Sequence, residues 1–242
     1  MRPTRLNRER AAKILDILEQ TYPDADTELH HRNAFELVVA TILSAQCTDE
    51  RVNQVTPALF RRYPTPEAMA SARPAQLEAL IRPTGFFRAK TRSILGCARA
   101  LVAEHGGEVP RTMEAMVRLP GVGRKTSSVV LGHAYRLAEG IAVDTHVLRV
   151  SNRLGIARGD DPIEVERQLM ALIPRERWIR TTDLLIFHGR RICQARRPAC
   201  GNCPVFSLCR WPYRQAYALG QTPRVPRGTA KRRAKRSPPT AA

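Results

Sequence analysis

Three groups of residues in this chain could do chemistry. Lys125 follows a tight glycine run in Leu119-Pro-Gly-Val-Gly-Arg-Lys125-Thr. Asp144 stands in Val143-Asp-Thr-His146. Four thiols, Cys193-x6-Cys200-x2-Cys203-x5-Cys209, crowd into seventeen positions. Pro120 fixes φ, and Gly121 and Gly123 tolerate φ > 0, so the glycine run reads as a hairpin between two helices. Met113, Met116 and Val117 lead in; Val129, Val130 and Leu131 follow a helix start at Arg124. The backbone N–H groups of Gly121, Val122, Gly123 and Arg124 then collect at a helix start, which seats a phosphate. Lys125 falls in the first turn, where the helix dipole disfavours a cation and so favours a free amine. A free amine is a nucleophile; the bland alternative is a phosphate-contacting charge. A P-loop is excluded, because Gly-Arg-Lys-Thr is not Gly-Lys-Thr and no strand precedes it.

Four clustered cysteines hold either structural zinc or an iron–sulfur centre. Zinc sites usually show two close pairs, whereas here one close pair is flanked by wider gaps. The intervening Ala195-Arg196-Arg197-Pro198 suits a loop wrapped round a bulky centre. Residue chemistry alone leaves both choices open. Cys47 and Cys97 lie far off on predicted helices and read as small buried hydrophobes.

The elements that must position these groups are helical. No alternating strand pattern is found. Asn7 is expected to cap a first helix bearing Ala11, Ile14, Leu15 and Leu18. Asn33 with Glu36 resembles a capping box before a helix apolar nearly all round, so that helix is expected to be central. It ends at Ser44-Ala45-Gln46-Cys47-Thr48-Asp49, where Thr48 or Asp49 caps a helix that Pro57 must kink or restart. Thr65-Pro66 opens a short helix through Ile81. Arg82 to Arg88 forms a basic loop in which Phe86 is either a core plug or an exposed wedge. A helix from about Arg88 ends at Gly106-Gly107. Asp144 caps a helix to Gly155, Asp161-Pro162 starts another, and Trp178 to Arg191 is helical.

At 242 residues the chain can bury one large core or two small ones. Its formal charge of +18 points to a polyanionic partner, nucleic acid ahead of membrane. No apolar run approaches a membrane span. The basic N-terminus lacks an apolar stretch, so no signal peptide is expected, and a cytoplasmic site follows. Pro223 to Ala242 reads as a disordered basic tail.

Together these pieces resemble the endonuclease III family of DNA glycosylases, within the helix-hairpin-helix superfamily. The resemblance rests on Leu43-Ser-Ala-Gln-Cys-Thr-Asp49, the hairpin with Lys125, Val143-Asp144-Thr-His146, Leu185-Ile-Phe-His-Gly-Arg190 and the 6-2-5 cysteine spacing. It spans about residue 8 to 212.

The resemblance implies an all-α fold of two helical domains with DNA in the cleft between them. A six-helix barrel would occupy 28–137, with the helix-hairpin-helix at about 112–136. Residues 1–27 and 138–213 would form a discontinuous domain holding a [4Fe–4S] cluster on Cys193, Cys200, Cys203 and Cys209; 214–242 would be tail. Lys125 would attack C1′ of an oxidised pyrimidine nucleoside and form a Schiff base, β-elimination would cut the strand, and Asp144 would assist. Gln46 and Phe86 would fill the space left by a flipped base, with Phe86 standing where the family usually has leucine. DNA contacts are implied at Gly121, Val122, Gly123, Arg124, His146, Arg196 and Arg197, and weaker ones at Ser44 and Asp49. The partner expected is double-stranded DNA with oxidised pyrimidine or abasic sites, bound by a monomer. Two rivals are an adenine-removing glycosylase of the same superfamily, which would lack Lys125, and a non-catalytic DNA-binding module with structural zinc.

Overall fold

The computed structural model describes residues 4–224, all helix and loop among those residues. Twelve α-helices follow in order: α1 (Arg5–Thr21), α2 (Ala34–Leu43), α3 (Asp49–Arg62), α4 (Pro66–Ala70), α5 (Pro74–Ile81), α6 (Phe87–His105), α7 (Met113–Met116), α8 (Arg124–Tyr135), α9 (Thr145–Leu154), α10 (Pro162–Leu172), α11 (Trp178–Arg191) and α12 (Arg214–Ala218). No helix among the described residues is long and apolar enough to cross a membrane. The expected tail from Pro223 lies almost wholly outside the described residues.

Local chemistry sets most boundaries. The Asn33 side chain accepts from Glu36 N at 2.9 Å, while Glu36 reaches back to Arg32 N at 2.8 Å, one residue earlier than in a standard capping box. Thr48, Thr65, Thr112, Asp144 and Asp161 cap α3, α4, α7, α9 and α10. Four expectations are corrected. Thr4, not Asn7, caps α1; its side chain accepts from Asn7 N. Helix α3 runs unbroken through Pro57, because Val55, Thr56, Leu59 and Phe60 bury around it and outweigh one lost backbone bond. The single helix expected from Thr65 to Ile81 is two, since Pro74 restarts it. Past Pro212 the chain still forms α12, where Tyr217 stacks on Trp211.

Two separate cores result. One gathers Leu29 through Leu131, with α2 at its centre; Leu37, Val38 and Leu43 are fully buried. The other joins Ala11 to Ala25 of the N-terminal segment with Ile141 to Val205. Arginines stitch the second one together. Arg10 donates to Leu154 O, Gly155 O and Leu208 O. Arg180 donates to Tyr22 O and Pro23 O and also reaches Ala25 O.

Candidate DNA-lesion site and metal centre

The hairpin forms as expected, with one difference. Gly121 takes φ +77°, and a side chain there would strike Ser93; Gly123 keeps an extended backbone and precedes α8. No side chain caps α8, so its first-turn N–H groups stay available. Lys125 is exposed in that turn. Two of the residues implied to contact DNA already have partners within the protein. Val122 donates its N–H to Leu119 O, and its side chain joins the core. Arg124 spends its guanidinium on Glu166 of α10, at 2.7 and 3.1 Å. Gly121, Gly123 and the backbone of Arg124 are what the hairpin offers an anion.

The loop after α2 faces this hairpin. Ala45, Gln46, Phe86, Lys90, Gly121 and Thr126 line one concavity. Gln46 (φ +53°) and Phe86 (φ +45°) are both left-handed, which costs a non-glycine residue strain. Only Arg136 shares that conformation among the described non-glycine residues. Phe86 is 68% exposed, so it is not a core plug; Phe87 packs on the core instead. Ser44, by contrast, turns its hydroxyl to Thr41 O at 2.9 Å.

Asp144 is the N-cap of α9. Its Oδ1 accepts from His146 N and Val147 N, both at 2.8 Å. It also lies within electrostatic range of Arg190, and Arg190 donates to Asp49 at 2.7 Å. The Ser44–Asp49 segment thus meets the start of the Lys125 helix at this concavity and α11 through Asp49. His146 is half-buried against Gly189 and Arg149. Burial, then Arg149 and Arg190, lower its pKa despite Asp144. Arg149 Nη2 lies 3.1 Å from the His146 Nδ1.

Cys193, Cys200, Cys203 and Cys209 converge on one enclosed pocket with Pro198, Phe206 and Trp211, and none is in a disulfide. Tetrahedral zinc, with Zn–S about 2.3 Å, would draw the sulfurs to about 3.8 Å apart. No three of these sulfurs lie within 4.8 Å of one another, a spacing that fits a bulkier centre. Burial pushes the Cys203 thiol up to about 12, and the neighbouring sulfurs push it the same way. Burial likewise raises Cys200 and Cys209, and thiols buried in this way become thiolates only if something positive sits among them. Two arginines of α9 hold the loop: Arg149 donates to Cys193 O at 3.0 Å, and Arg153 to Gln194 O and Ala195 O at 2.7 and 2.9 Å. Arg196 and Arg197 are left exposed at its apex. Neither Arg149 nor Arg153 carries a motif that would have flagged it.

The fold and these two centres define a helix-hairpin-helix base-excision DNA repair protein. A family profile described as HhH-GPD superfamily base excision DNA repair protein matches residues 39–175, and one described as the iron-sulfur binding domain of endonuclease III matches 193–209. Endonuclease III of Synechocystis is 52% identical over 202 residues, covering 84% of this chain and 92% of the relative. That of Bacillus subtilis is 47% identical, covering 85% and 94%. A solved structure of a non-covalent endonuclease III–DNA complex superposes with a TM-score of 0.80 at 46% identity, covering 84% of this chain and 95% of that one. A trapped endonuclease III–DNA covalent intermediate gives the same figures. The chain belongs to the endonuclease III family.

Proposed function

We propose that Lys125 is the nucleophile, and Asp144 its acid–base partner, of a base-excision-repair enzyme. Family membership makes the chain a DNA glycosylase for oxidised pyrimidines with AP lyase activity. The amine of Lys125, once it has lost its proton, attacks C1′; the base leaves with a proton, and an imine to the opened sugar remains. Loss of a C2′ proton then expels the 3′ phosphate. Asp144, held by two backbone N–H groups, takes the lysine proton or steadies positive charge on the sugar. Gln46 and Phe86 occupy the helix as the target base swings out. Exposed Arg196 and Arg197 and the hairpin N–H groups grip phosphates. When bound, a [4Fe–4S] cluster on the four cysteines supplies the charge those thiolates need and a brace for the arginine loop.

The two cores support a discontinuous domain division, 1–27 with 138–213 around an inserted 28–137. The partner is double-stranded DNA carrying an oxidised pyrimidine or abasic site, bound by a monomer in the cytoplasm.

One observation carries the reading: an exposed lysine at an uncapped helix start, beside a concavity rimmed by two left-handed residues. Duplexes that each carry one lesion test it. Release of oxidised pyrimidine and strand nicking should occur in one preparation, and adenine opposite an oxidised purine should stay in place. Tight binding with neither release nor nicking would favour the non-catalytic module.

A further inference from the structure

Lys90 is buried to 5% exposure, yet no carboxylate meets it. Its Nζ donates to two backbone carbonyls instead, Leu43 O and Thr84 O, each at 2.7 Å. Leu43 is the last residue of α2, and Thr84 ends the short 3-10 turn Arg82–Thr84. Both carbonyls lie at helix C-termini, where partial negative charge favours a cation. Lys90 itself sits in the first turns of α6, and its side chain points back towards the helix start, where those two turns arrive. The left-handed residues follow directly: Gln46 is three residues beyond Leu43, and Phe86 two beyond Thr84.

We infer that Lys90 is a positioning residue that pins the Gln46 and Phe86 turns to one ammonium, fixing the spacing of the two side chains that enter the duplex. The inference rests on the wedge reading of those two residues. Among the described residues no hydrogen bond joins the two strained turns that bracket this concavity directly. A single three-donor cation bonded to the base of each sets their separation, and burial removes competing water. Burial also lowers the pKa of Lys90, with Cys47 acting weakly the other way. The negative ends of the two turns whose carbonyls accept from it work against that shift and favour the ammonium.

The test uses Lys90→Met in the full-length, cluster-loaded protein, because Met keeps the apolar stem and removes every donor. Two single-turnover rates are compared: release of an oxidised pyrimidine from intact duplex, and nicking of a preformed abasic site. A small misplacement of a positioning contact costs up to about 10²-fold. Duplex excision should fall by about 10- to 100-fold relative to abasic nicking, with binding of undamaged duplex little changed. Lost stability alone would lower both rates by the same folded fraction and leave the ratio unmoved, which would overturn the inference. Should Lys90→Met fold poorly, Lys90→Gln, with one amide donor, should shift the ratio in the same direction. Phe86→Ala run in parallel separates the two claims. If it shifts the ratio and neither Lys90 variant does, Lys90 is not the pin. If neither residue shifts it, the wedge reading has failed, and the pin with it.

Discussion

Arg190, at the end of α11, donates to Oδ2 of Asp49, the first residue of α3, at 2.7 Å. The same guanidinium reaches Glu28. Burial alone would lower its pKa, but Asp49, Glu28 and Asp144 outweigh burial and raise it. One arginine thus connects the core that carries Lys125 to the core that carries Asp144 and the cysteines. Its Asp49 partner is only 17% exposed, so solvent screens the pair incompletely. A double-mutant cycle of Arg190→Ala and Asp49→Asn in urea should show coupling of about 1 kcal/mol. Additive losses would mean that the pair does not hold the two cores together.

Phe86 is the most exposed aromatic side chain among the described large hydrophobics, and no packing accounts for its left-handed backbone. Phe86→Ala should leave melting almost unchanged, because exposed surface is lost. It should slow excision from duplex more than nicking at an abasic site, where no base has to be extruded. A large drop in melting temperature would return Phe86 to a core role.

His133 of α8 stands between Asp26 and Asp183. Nδ1 lies 2.8 Å from Asp26 Oδ1, and Nε2 lies 3.2 Å from Asp183 Oδ1. These three residues satisfy a metal-like spacing, but the two carboxylates face different ring nitrogens, so an ion on one nitrogen would not sit between both of them. Burial works to lower the His133 pKa, while Asp183 and Asp26 outweigh it and raise it. Burial also raises Asp183, partly offset by His133 and by nearby Arg180. A histidine pKa raised by folding stabilises most below about pH 6.5, and that contribution fades as pH climbs through the folded-state value. The melting-temperature gap between wild type and His133→Gln should therefore be widest near pH 6 and narrow towards pH 9. A gap independent of pH would show that the ring is not the titrating group.

Much of this was legible in the residues. Asp144 and Asp161 announce their helices because a short acceptor before an apolar-periodic run has little else to do. The left-handed Gly106 and Gly155 mark helix ends for steric reasons that a sequence displays. The cysteine spacing and the hairpin lysine mark, in sequence, the residues proposed for both centres. Less legible was whatever depends on distant partners. Lys90 reads as one more surface cation until carbonyls six and forty-seven residues away are brought to it. Arg124 reads as a free phosphate ligand until α10 delivers Glu166. Pro57 reads as a kink or a restart, and the helix does not restart because its neighbours bury deeply, which periodicity does not display.

The metal centre makes a chemical prediction. Pure protein should be yellow-brown and contain iron with acid-labile sulfide, while zinc without sulfide would contradict the sulfur spacing. Cys203→Ser should lose iron and unfold the second core, because ligation energy there is folding energy. Arg196 and Arg197 would then lose their common placement, and affinity for any duplex should fall along with its salt dependence.

The most direct measurement is borohydride trapping of Lys125. An imine is reduced irreversibly, so wild-type protein turning over a lesion duplex in borohydride should become cross-linked to DNA. Asp144→Asn keeps the amine and should trap slowly, with excision reduced by about 10²- to 10⁴-fold. Lys125→Gln keeps length and polarity but has no nucleophilic nitrogen. It should bind DNA through the hairpin and the basic surface, yet neither cross-link nor nick. A Lys125→Gln protein that still gave the wild-type yield of trapped complex would place the nucleophile on another amine and contradict the assignment.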